Sequence, residues 1–423
     1  MELTLEIKRS TAEKSSINKT IVVFTSLYSI ALWINFIVII NSGKYSADLQ
    51  GIDVGINTNE LLYIALVNQL FLLMAVFIFN ILNSRNIKIG NLRFEFNKDR
   101  FSVFFFIILI LNMVFFFSTG VGKVYSTKTH YLKTLFIILE PGNIFFLYYL
   151  IVRNTGSKLF FVNVVLYSIL QISKGWTSFI LIIGVFELYF FILRNNKSKL
   201  FRLPFIFSVI IPLLLFTGGS VAYKYAFLVK NEIRGSSVES VSLDYIGSTV
   251  LLASRLSNYN VAAGFYSKLD DVVNVVRAQE EFSELKSFSQ YFLPVRPNEI
   301  EARPLSNSSM LAFYPTFGAK YSNVEIGMFT YYQILSNVDI YEAVFVLFIT
   351  FFMLLFFFSF YKLIANNENV ELLLFIMVFY FLFSMCSPTY FIRPYALGVL
   401  FIPFFVVFGI LKIKRNLNYS NAK

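Results

Sequence analysis

Runs of apolar residues alternate along this chain with short polar connections, and most runs are long enough to cross a bilayer. A helix rises about 1.5 Å per residue, so roughly 20 apolar residues span the hydrocarbon core. The pattern predicts about ten membrane-spanning helices, within a range of about 10–12. The predicted spans are 21–40, 61–82, 101–117, 135–152, 159–172, 176–193, 203–221, 340–361, 372–384 and 391–411.

One long polar interruption separates the seventh span from the eighth. Residues 223–339 carry ten Lys and Arg and twelve Asp and Glu, against very few charges inside the spans. Within it, residues 246–265 form an apolar helical run, and residues 265–292 place apolar side chains at helical spacing on one face. The prolines of residues 293–304 then favour an extended path. We therefore expect an ordered loop that contains amphipathic helices.

Lysine and arginine in the short connections predict the orientation of the spans. One side of the bundle collects twenty of these residues and the other side six, and the basic side faces the cytoplasm in membrane proteins. Both termini are then cytoplasmic, and the long loop is extracytoplasmic. The predicted architecture is all-α and polytopic: an N-terminal bundle of about seven spans over 1–222, the outer loop over 223–339, and about three spans over 340–423.

The composition is that of a membrane protein, and it excludes several kinds of catalytic or metal site. The chain is 57% hydrophobic and 14% charged. It has one cysteine, Cys386, and one histidine, His130, so a disulfide, a zinc site or a Cys–His pair is excluded. No nucleotide-binding motif is found, and we expect no metal and no cofactor. The net charge of +11 reflects the basic cytoplasmic connections, so we expect a bilayer partner and no nucleic acid.

Arginine is the first residue type to consider for chemistry outside the membrane, because its planar fork matches phosphate oxygens. Arg255 lies within an apolar helical run, so it needs either a structural carboxylate partner or an anionic ligand. Arg296 and Arg303 flank the proline-rich segment, where surface exposure is the alternative to a binding role. Arg393 begins the last span on the outer side, where contact with lipid headgroups is the alternative.

Three further residues are candidates. Glu140 lies in a span immediately before Pro141 and Gly142, and a carboxylate at such a break indicates function unless it is a paired structural residue. Lys174 precedes Gly175 at the outer start of a span, where it either binds a phosphate or is a simple turn lysine. His130 lies in an outer connection and is a candidate general base, with an incidental role as the alternative.

Three short segments resemble motifs of the bacterial O-antigen or oligosaccharide repeat-unit polymerases, the Wzy family. They are LLASRLSNYNVAAGF (251–265), which contains Arg255, LPVRPNEIEARP (293–304), and ISKGWTSFILII (172–183). The plan of about ten to twelve spans with one long outer loop in the second half is also similar. The chain departs from the family where Arg296 precedes a proline, since the family places the proline first, and this leaves the role of Arg296 open.

The resemblance implies a metal-independent membrane glycosyltransferase in the bacterial cytoplasmic membrane. It would polymerise undecaprenyl-diphosphate-linked oligosaccharide repeats into O-antigen, capsular or related surface polysaccharide, with its active site on the extracytoplasmic side. Arg255, with Arg296, Arg303, Arg393 or Lys174, would bind the diphosphate. The base would be His130, Glu140 or one of the loop carboxylates Asp244, Glu299, Glu301 and Glu325. A chain-length regulator is a candidate protein partner.

Two other functions are compatible with the sequence. An O-antigen ligase or another lipid-linked-sugar transferase would use the same donor, although the absence of a histidine from the large loop is unfavourable to a ligase. A lipid-linked oligosaccharide flippase or other transporter would need charged residues along several spans, and this chain has few.

Overall fold

The computed structural model describes residues 2–84, 92–123, 128, 130–176, 178–195, 203, 205–234, 244–279, 282–287, 304–314, 324–365, 370–383 and 388–415. This part of the chain is overwhelmingly helical, as predicted. Six helical segments are long and apolar enough to cross a membrane. They are Lys14–Ser42, Thr58–Ser84, Lys98–Thr119, Lys133–Thr155, Ile206–Val229 and Ile340–Ile364.

The helices follow one another with short connections. In the N-terminal half they are α1 Glu2–Ser42, α2 Thr58–Ser84, α3 Lys98–Thr119, α4 Lys133–Ile138, α5 Gly142–Val152, α6 Lys158–Lys174, α7 Phe179–Asn195 and α8 Ile211–Arg234. The region of the predicted outer loop contains α9 Tyr245–Leu256, α10 Tyr259–Ser267, α11 Leu269–Arg277, α12 Leu305–Ser308 and α13 Met328–Val338. The last helices are α14 Ile340–Ile364, α15 Glu371–Leu382, α16 Pro388–Leu400 and α17 Ile402–Val407.

Helix α1 is the centre of the bundle. It contacts α2, α7, α8 and α9, so it joins the first helices of the chain to the start of the outer region. Its residues Ala31 and Leu32 are fully buried, and the small alanine side chain permits close approach of neighbouring helices. Around it, α2 packs on α15, α3 packs on α5 and α6, and α14 contacts α15 and α16.

Two predicted spans are interrupted. Residues 135–152 contain the end of α4 and all of α5, with a break at 139–141, because Pro141 cannot donate a helical hydrogen bond. Residues 391–411 divide between α16 and α17 at Phe401, which precedes Ile402 and a proline. The predicted spans 159–172 and 176–193 correspond to α6 and α7, which have 17 residues each.

The outer region departs from its predicted helix boundaries. Helix α8 continues to Arg234, well past the boundary at 222, because no helix-breaking residue follows Val221. The run 246–265 is divided at Ser257 and Asn258, where the Asn258 amide donates to the Phe383 carbonyl. In the described part of the expected helix over 265–292, α11 covers Leu269–Arg277 and buries Val272, Val273 and Val276 of the predicted apolar face. Residues 280–281 and 288–292 lie outside the described part.

The all-α prediction missed one antiparallel pair of strands, β1 Leu92–Phe96 and β2 Leu411–Arg415. Leu92 pairs with Arg415 and Phe96 pairs with Leu411. Both segments alternate apolar and charged residues, which is a strand pattern, but each is short and borders a predicted span. Lys414 and Glu95 form an ion pair across the strands at 2.6 Å. The α2–α3 connection and the end of α17 therefore lie at the same end of the bundle.

Candidate functional site

A cavity of about 710 Å³ lies between the helices that surround the α4–α5 break. Its wall is formed by α3 to α7, by the segment before α13, and by α14 to α16. Most of the wall surface is apolar, and polar side chains are distributed among the apolar ones. The titratable residues of the wall are Lys133, Glu140, Tyr167, Lys174, Glu325, Tyr361, Tyr380 and Tyr395.

Glu140 and Lys174 form an ion pair in this wall, and the two candidates are thus brought together. The Lys174 ammonium lies 2.6 Å from Glu140 Oε2, and the Gln171 amide donates to Glu140 Oε1 at 3.1 Å. The Lys174 side chain is only 8% exposed and the Glu140 side chain 29%. The carboxylate therefore neutralises a cation that could hardly be buried without it.

Local sequence explains how the pair is positioned. Lys174 is the last residue of α6, and Gly175 follows in the left-handed conformation, with φ at 88°, that commonly ends helices. The prediction that Lys174 lies at a helix N-terminus is wrong, because the preceding helix ends there. The ammonium instead complements the negative C-terminal end of the α6 dipole.

Side-chain amides stabilise the break that carries Glu140. Asn143 Nδ2 donates to the carbonyls of Ile137 and Ile138 at 3.2 Å, and Asn112 Nδ2 donates to the carbonyl of Leu139 at 2.8 Å. These carbonyls have lost their helical partners at the Pro141 break, and in an apolar bundle they need replacements. The predicted interruption of this span is confirmed, and Glu140 is placed in a cavity wall as a consequence.

Several wall residues were missed by the sequence reasoning. Trp176 lies two positions after Lys174 and keeps 50% of its surface exposed, which suits it to stack on a ring. Lys133, at the start of α4, is a second and exposed ammonium in the wall. Tyr361 and Tyr395 meet between α14 and α16, where the Tyr361 hydroxyl donates to the Tyr395 carbonyl at 3.0 Å. These residues come together through tertiary packing, so no local pattern identifies them.

Arg255 lies elsewhere and has a carboxylate partner. It is in the last turn of α9, and its Nη1 is 2.9 Å from Asp48 Oδ1 in the connection between α1 and α2. Burial of the guanidinium opposes its charge, but Asp48 and Tyr223 raise the pKa of Arg255 above its ordinary value. Of the two alternatives for Arg255, the structural pair is thus present, and the side chain does not line the cavity.

The same Asp48 region receives further contacts from the region that the sequence predicts as the outer loop. The Tyr314 hydroxyl donates to the Asp48 carbonyl at 3.1 Å, and the Tyr45 hydroxyl donates to the Ala263 carbonyl at 3.3 Å. The α1–α2 connection therefore packs on the region 244–314. The Arg255–Asp48 pair is part of this interface.

His130 lies beside the cavity wall without being one of its lining residues. Its ring packs edge-on against Phe115, which does line the cavity, with centroids 5.5 Å apart. The Leu132 backbone N–H donates to His130 Nδ1 at 3.2 Å. In the neutral ring this leaves the proton on Nε2, so the lone pair that a base would use is already occupied.

The remaining candidates divide into three groups. Arg296 and Arg303 lie outside the described residues, as do the loop carboxylates Glu299 and Glu301. Arg393 lies in α16, but its side chain is outside the described part. Asp244 caps α9 by accepting from the Gly247 N–H at 2.6 Å. Of the two loop carboxylates that belong to the described residues, Asp244 and Glu325, Glu325 is the one found in the cavity wall.

No group of three or more His, Cys, Asp or Glu side chains suited to a metal occurs within the described ranges. Comparisons with known protein families, with curated proteins and with solved structures give no match to this chain.

Proposed function

We propose that this chain is a membrane glycosyltransferase that lengthens lipid-diphosphate-linked oligosaccharides at the cavity around Lys174. The observation that carries the proposal is a large, mostly apolar cavity within the helices whose wall also contains two ammonium groups, two carboxylates and an exposed tryptophan. Apolar walls suit a prenyl chain, ammonium groups suit a diphosphate, and an aromatic face suits a sugar ring. The most specific form of the proposal is a polymerase of undecaprenyl-diphosphate-linked repeat units.

The roles follow from position. Lys133 and Lys174 would bind the diphosphate and neutralise the charge that develops as it leaves. Glu140 would hold Lys174 in place, and Trp176 would stack on a sugar next to the diphosphate. Arg393 remains a candidate for diphosphate binding, as do Arg296 and Arg303. We assign Arg255 to its pair with Asp48 and assign His130 no proton-accepting role.

Two sets of contacts support the predicted division of the connections between a cytoplasmic and an extracytoplasmic end. At the predicted cytoplasmic end, β1 pairs with β2, and the Lys362 ammonium donates to the Asn83 carbonyl. At the opposite end, the α1–α2 connection packs on the region 244–314. The active site would then lie on the extracytoplasmic side of the bacterial cytoplasmic membrane, where lipid-linked repeats are polymerised.

The test is a transfer assay in proteoliposomes that contain the purified full-length chain and undecaprenyl-diphosphate-linked oligosaccharide. We expect longer lipid-linked chains and release of undecaprenyl diphosphate, both resolved by chromatography. Lys174→Ala should lower the transfer rate by about 10²–10³-fold, as when one charge-stabilising donor is removed. Lys44→Ala is the matched control, because Lys44 is a 59% exposed lysine that does not line the cavity.

The outcomes separate the candidate functions. Lengthened chains that depend on Lys174 support the polymerase, whereas transfer only to a lipid A-core acceptor supports a ligase. The cavity lies inside the bundle, which also suits a transporter. Movement of the lipid-linked oligosaccharide between leaflets without any lengthening would replace the transferase proposal with a flippase.

A further inference from the structure

The two ends of the cavity differ in chemistry. One end is bordered by the connection between α3 and α4, and its wall contains Lys133 and Lys174. The wall near the other end contains Tyr361, and the next residue, Lys362, donates to the Asn83 carbonyl at the end of α2. Helix α14 also contacts β1, which leads directly into α3, so Tyr361 and the two lysines of the wall lie toward opposite ends of α3.

A lipid-linked saccharide has its groups in a fixed order, with the diphosphate between the lipid and the sugars. The apolar part of the cavity suits the lipid, and Lys133 and Lys174 suit the diphosphate. The sugars then lie beside the α3–α4 connection, so the side chains of this connection bear on which saccharide is accepted.

Basic residues of the predicted outer connections are concentrated at this end of the cavity. Lysine and arginine are sparse on the extracytoplasmic side of membrane proteins, and the short outer connections of this chain contain six of them. Four of the six lie in the α3–α4 connection, at the start of α4 or at the end of α6: Lys123, Lys128, Lys133 and Lys174. Contact with lipid headgroups requires no such grouping, so the grouping indicates an anionic ligand at the cavity.

Two glycines bring the α3–α4 connection close to the cavity lysines. Gly120 ends α3 with φ at 68° and Gly122 follows with φ at 95°, a backbone conformation that glycine adopts without strain. A Cβ at Gly120 would lie 3.2 Å from Lys128 Nζ, and a Cβ at Gly122 would lie 4.0 Å from Lys174 Cε. Lys123 is exposed and directly follows Gly122, which lines the cavity, so Lys123 lies at the edge of the wall.

Lysines outnumber carboxylates at this end of the cavity. Within the described wall the carboxylates are Glu140 and Glu325, and Glu140 is paired with Lys174. No acidic residue occurs in the sequence between Asp99 and Glu140, so the α3–α4 connection contributes basic side chains without acidic ones. The net charge beside the path of the sugars is therefore positive, and it favours a saccharide that itself carries negative charge.

We propose that the saccharide on the lipid diphosphate is acidic, with a carboxylate-bearing sugar such as a hexuronic acid in each repeat unit, and that Lys123 and Lys128 recognise the carboxylate. The inference rests on the proposed function. Lysine suits this task because its ammonium is a point charge on a flexible stem, which can follow a flexible saccharide. The positive entrance would also raise the local concentration of an acidic substrate.

The experiment uses two undecaprenyl-diphosphate-linked oligosaccharides that differ at one sugar, glucuronic acid in one and glucose in the other. The full-length chain is reconstituted in phosphatidylcholine vesicles, so that the lipid surface has no net charge. We expect kcat/KM to be higher for the glucuronic acid substrate by roughly tenfold or more, the lower part of the range for electrostatic focusing. This preference should decrease between 0.1 M and 1 M salt, because the Debye length falls from about 10 Å to about 3 Å.

Variants of the two lysines test their part in this preference. Lys123→Gln combined with Lys128→Gln should raise KM for the glucuronic acid substrate and have a much smaller effect on KM for the glucose substrate. Lys123→Gln alone keeps Lys128 beside the end of α3, and it should reduce the preference by a smaller factor. Lys123→Arg keeps the charge and should keep the preference. Lys44→Gln is the matched control, because Lys44 is an exposed lysine of the α1–α2 connection that does not line the cavity.

The inference and the proposed function fail in different ways. A wild-type chain that lengthens neither substrate removes the proposed function itself. A wild-type chain that lengthens both substrates with the same kcat/KM overturns the inference and leaves the proposed function in place. An equal loss on both substrates in the double variant would also overturn the inference, because the two lysines would then serve the diphosphate that both substrates share.

Discussion

Two of the ion pairs described above, Lys174–Glu140 and Arg255–Asp48, differ in how far solvent reaches their cations. The Lys174–Glu140 pair lies in a cavity wall, with side chains 8% and 29% exposed. The Arg255–Asp48 pair joins α9 to the connection between α1 and α2, with side chains 40% and 32% exposed. The sequence favoured Arg255 because a guanidinium matches phosphate oxygens, but Lys174 is the more deeply buried of the two cations. The comparison teaches that an ionisable residue in an apolar run is informative only once its partner and its access to solvent are known.

Among the changes that distinguish the two ion pairs, Glu140→Gln is expected to cause the largest loss of stability. This change leaves the Lys174 ammonium buried without a counter-ion, and such a break destabilises a protein by roughly 3–5 kcal/mol. We expect a value at the lower end, because Glu140 keeps contact with solvent. The measurement is the thermal unfolding midpoint of the purified chain in nanodiscs.

A double variant serves as its control. Lys174→Met combined with Glu140→Leu replaces both charges by apolar groups, and it should recover most of the lost stability. If the single and double variants were equally destabilised, the loss would come from packing and not from the unpaired ammonium.

Arg255→Ala should have a smaller effect on stability, of about 0.2–1 kcal/mol, because solvent screens the pair with Asp48. Since Arg255 does not line the cavity, we also expect the transfer rate to remain within a few-fold of that of the wild type. Asp48→Asn should give the same small loss, and the two changes together should be less than additive. Complete loss of transfer with an intact fold would instead return Arg255 to the diphosphate-binding site.

Added salt should give the smallest difference between the pairs. The Debye length falls from about 10 Å at 0.1 M to about 3 Å at 1 M, which weakens pairs that solvent reaches. The stability difference between wild type and Asp48→Asn should therefore shrink in high salt, whereas the difference between wild type and Glu140→Gln should change little. If high salt changed both stability differences by the same amount, the two ion pairs would not differ in their access to solvent.

Local features of the fold were predictable, and long-range ones were not. The break at Glu140 follows directly from Pro141, and the turn after Lys174 follows from Gly175, since both residues act through their own backbone. The partner of Arg255 is 207 positions away, and no periodicity points to Asp48. The β1–β2 pair was missed for the same reason, because each strand lacks a local partner.

The candidate site was predicted in part. Glu140 and Lys174 were recognised separately, each from its position at a helix interruption, but their contact depends on how α5 packs against α6 and α7. Glu325 was one of several loop carboxylates, and its place in the cavity wall depends on tertiary packing that no local pattern predicts. Trp176 was part of a motif yet was not considered, because a solitary tryptophan near a membrane surface is ordinarily an interfacial anchor.

The strand pair β1–β2 bears on how the chain is assembled during synthesis. Residues Leu92–Phe96 are synthesised before α3, whereas Leu411–Arg415 are synthesised after α17. The first strand therefore waits for its partner while α3 to α17 are made, and the pairing joins the α2–α3 connection to the segment after α17. A chain truncated before Leu411 would leave β1 without its partner strand.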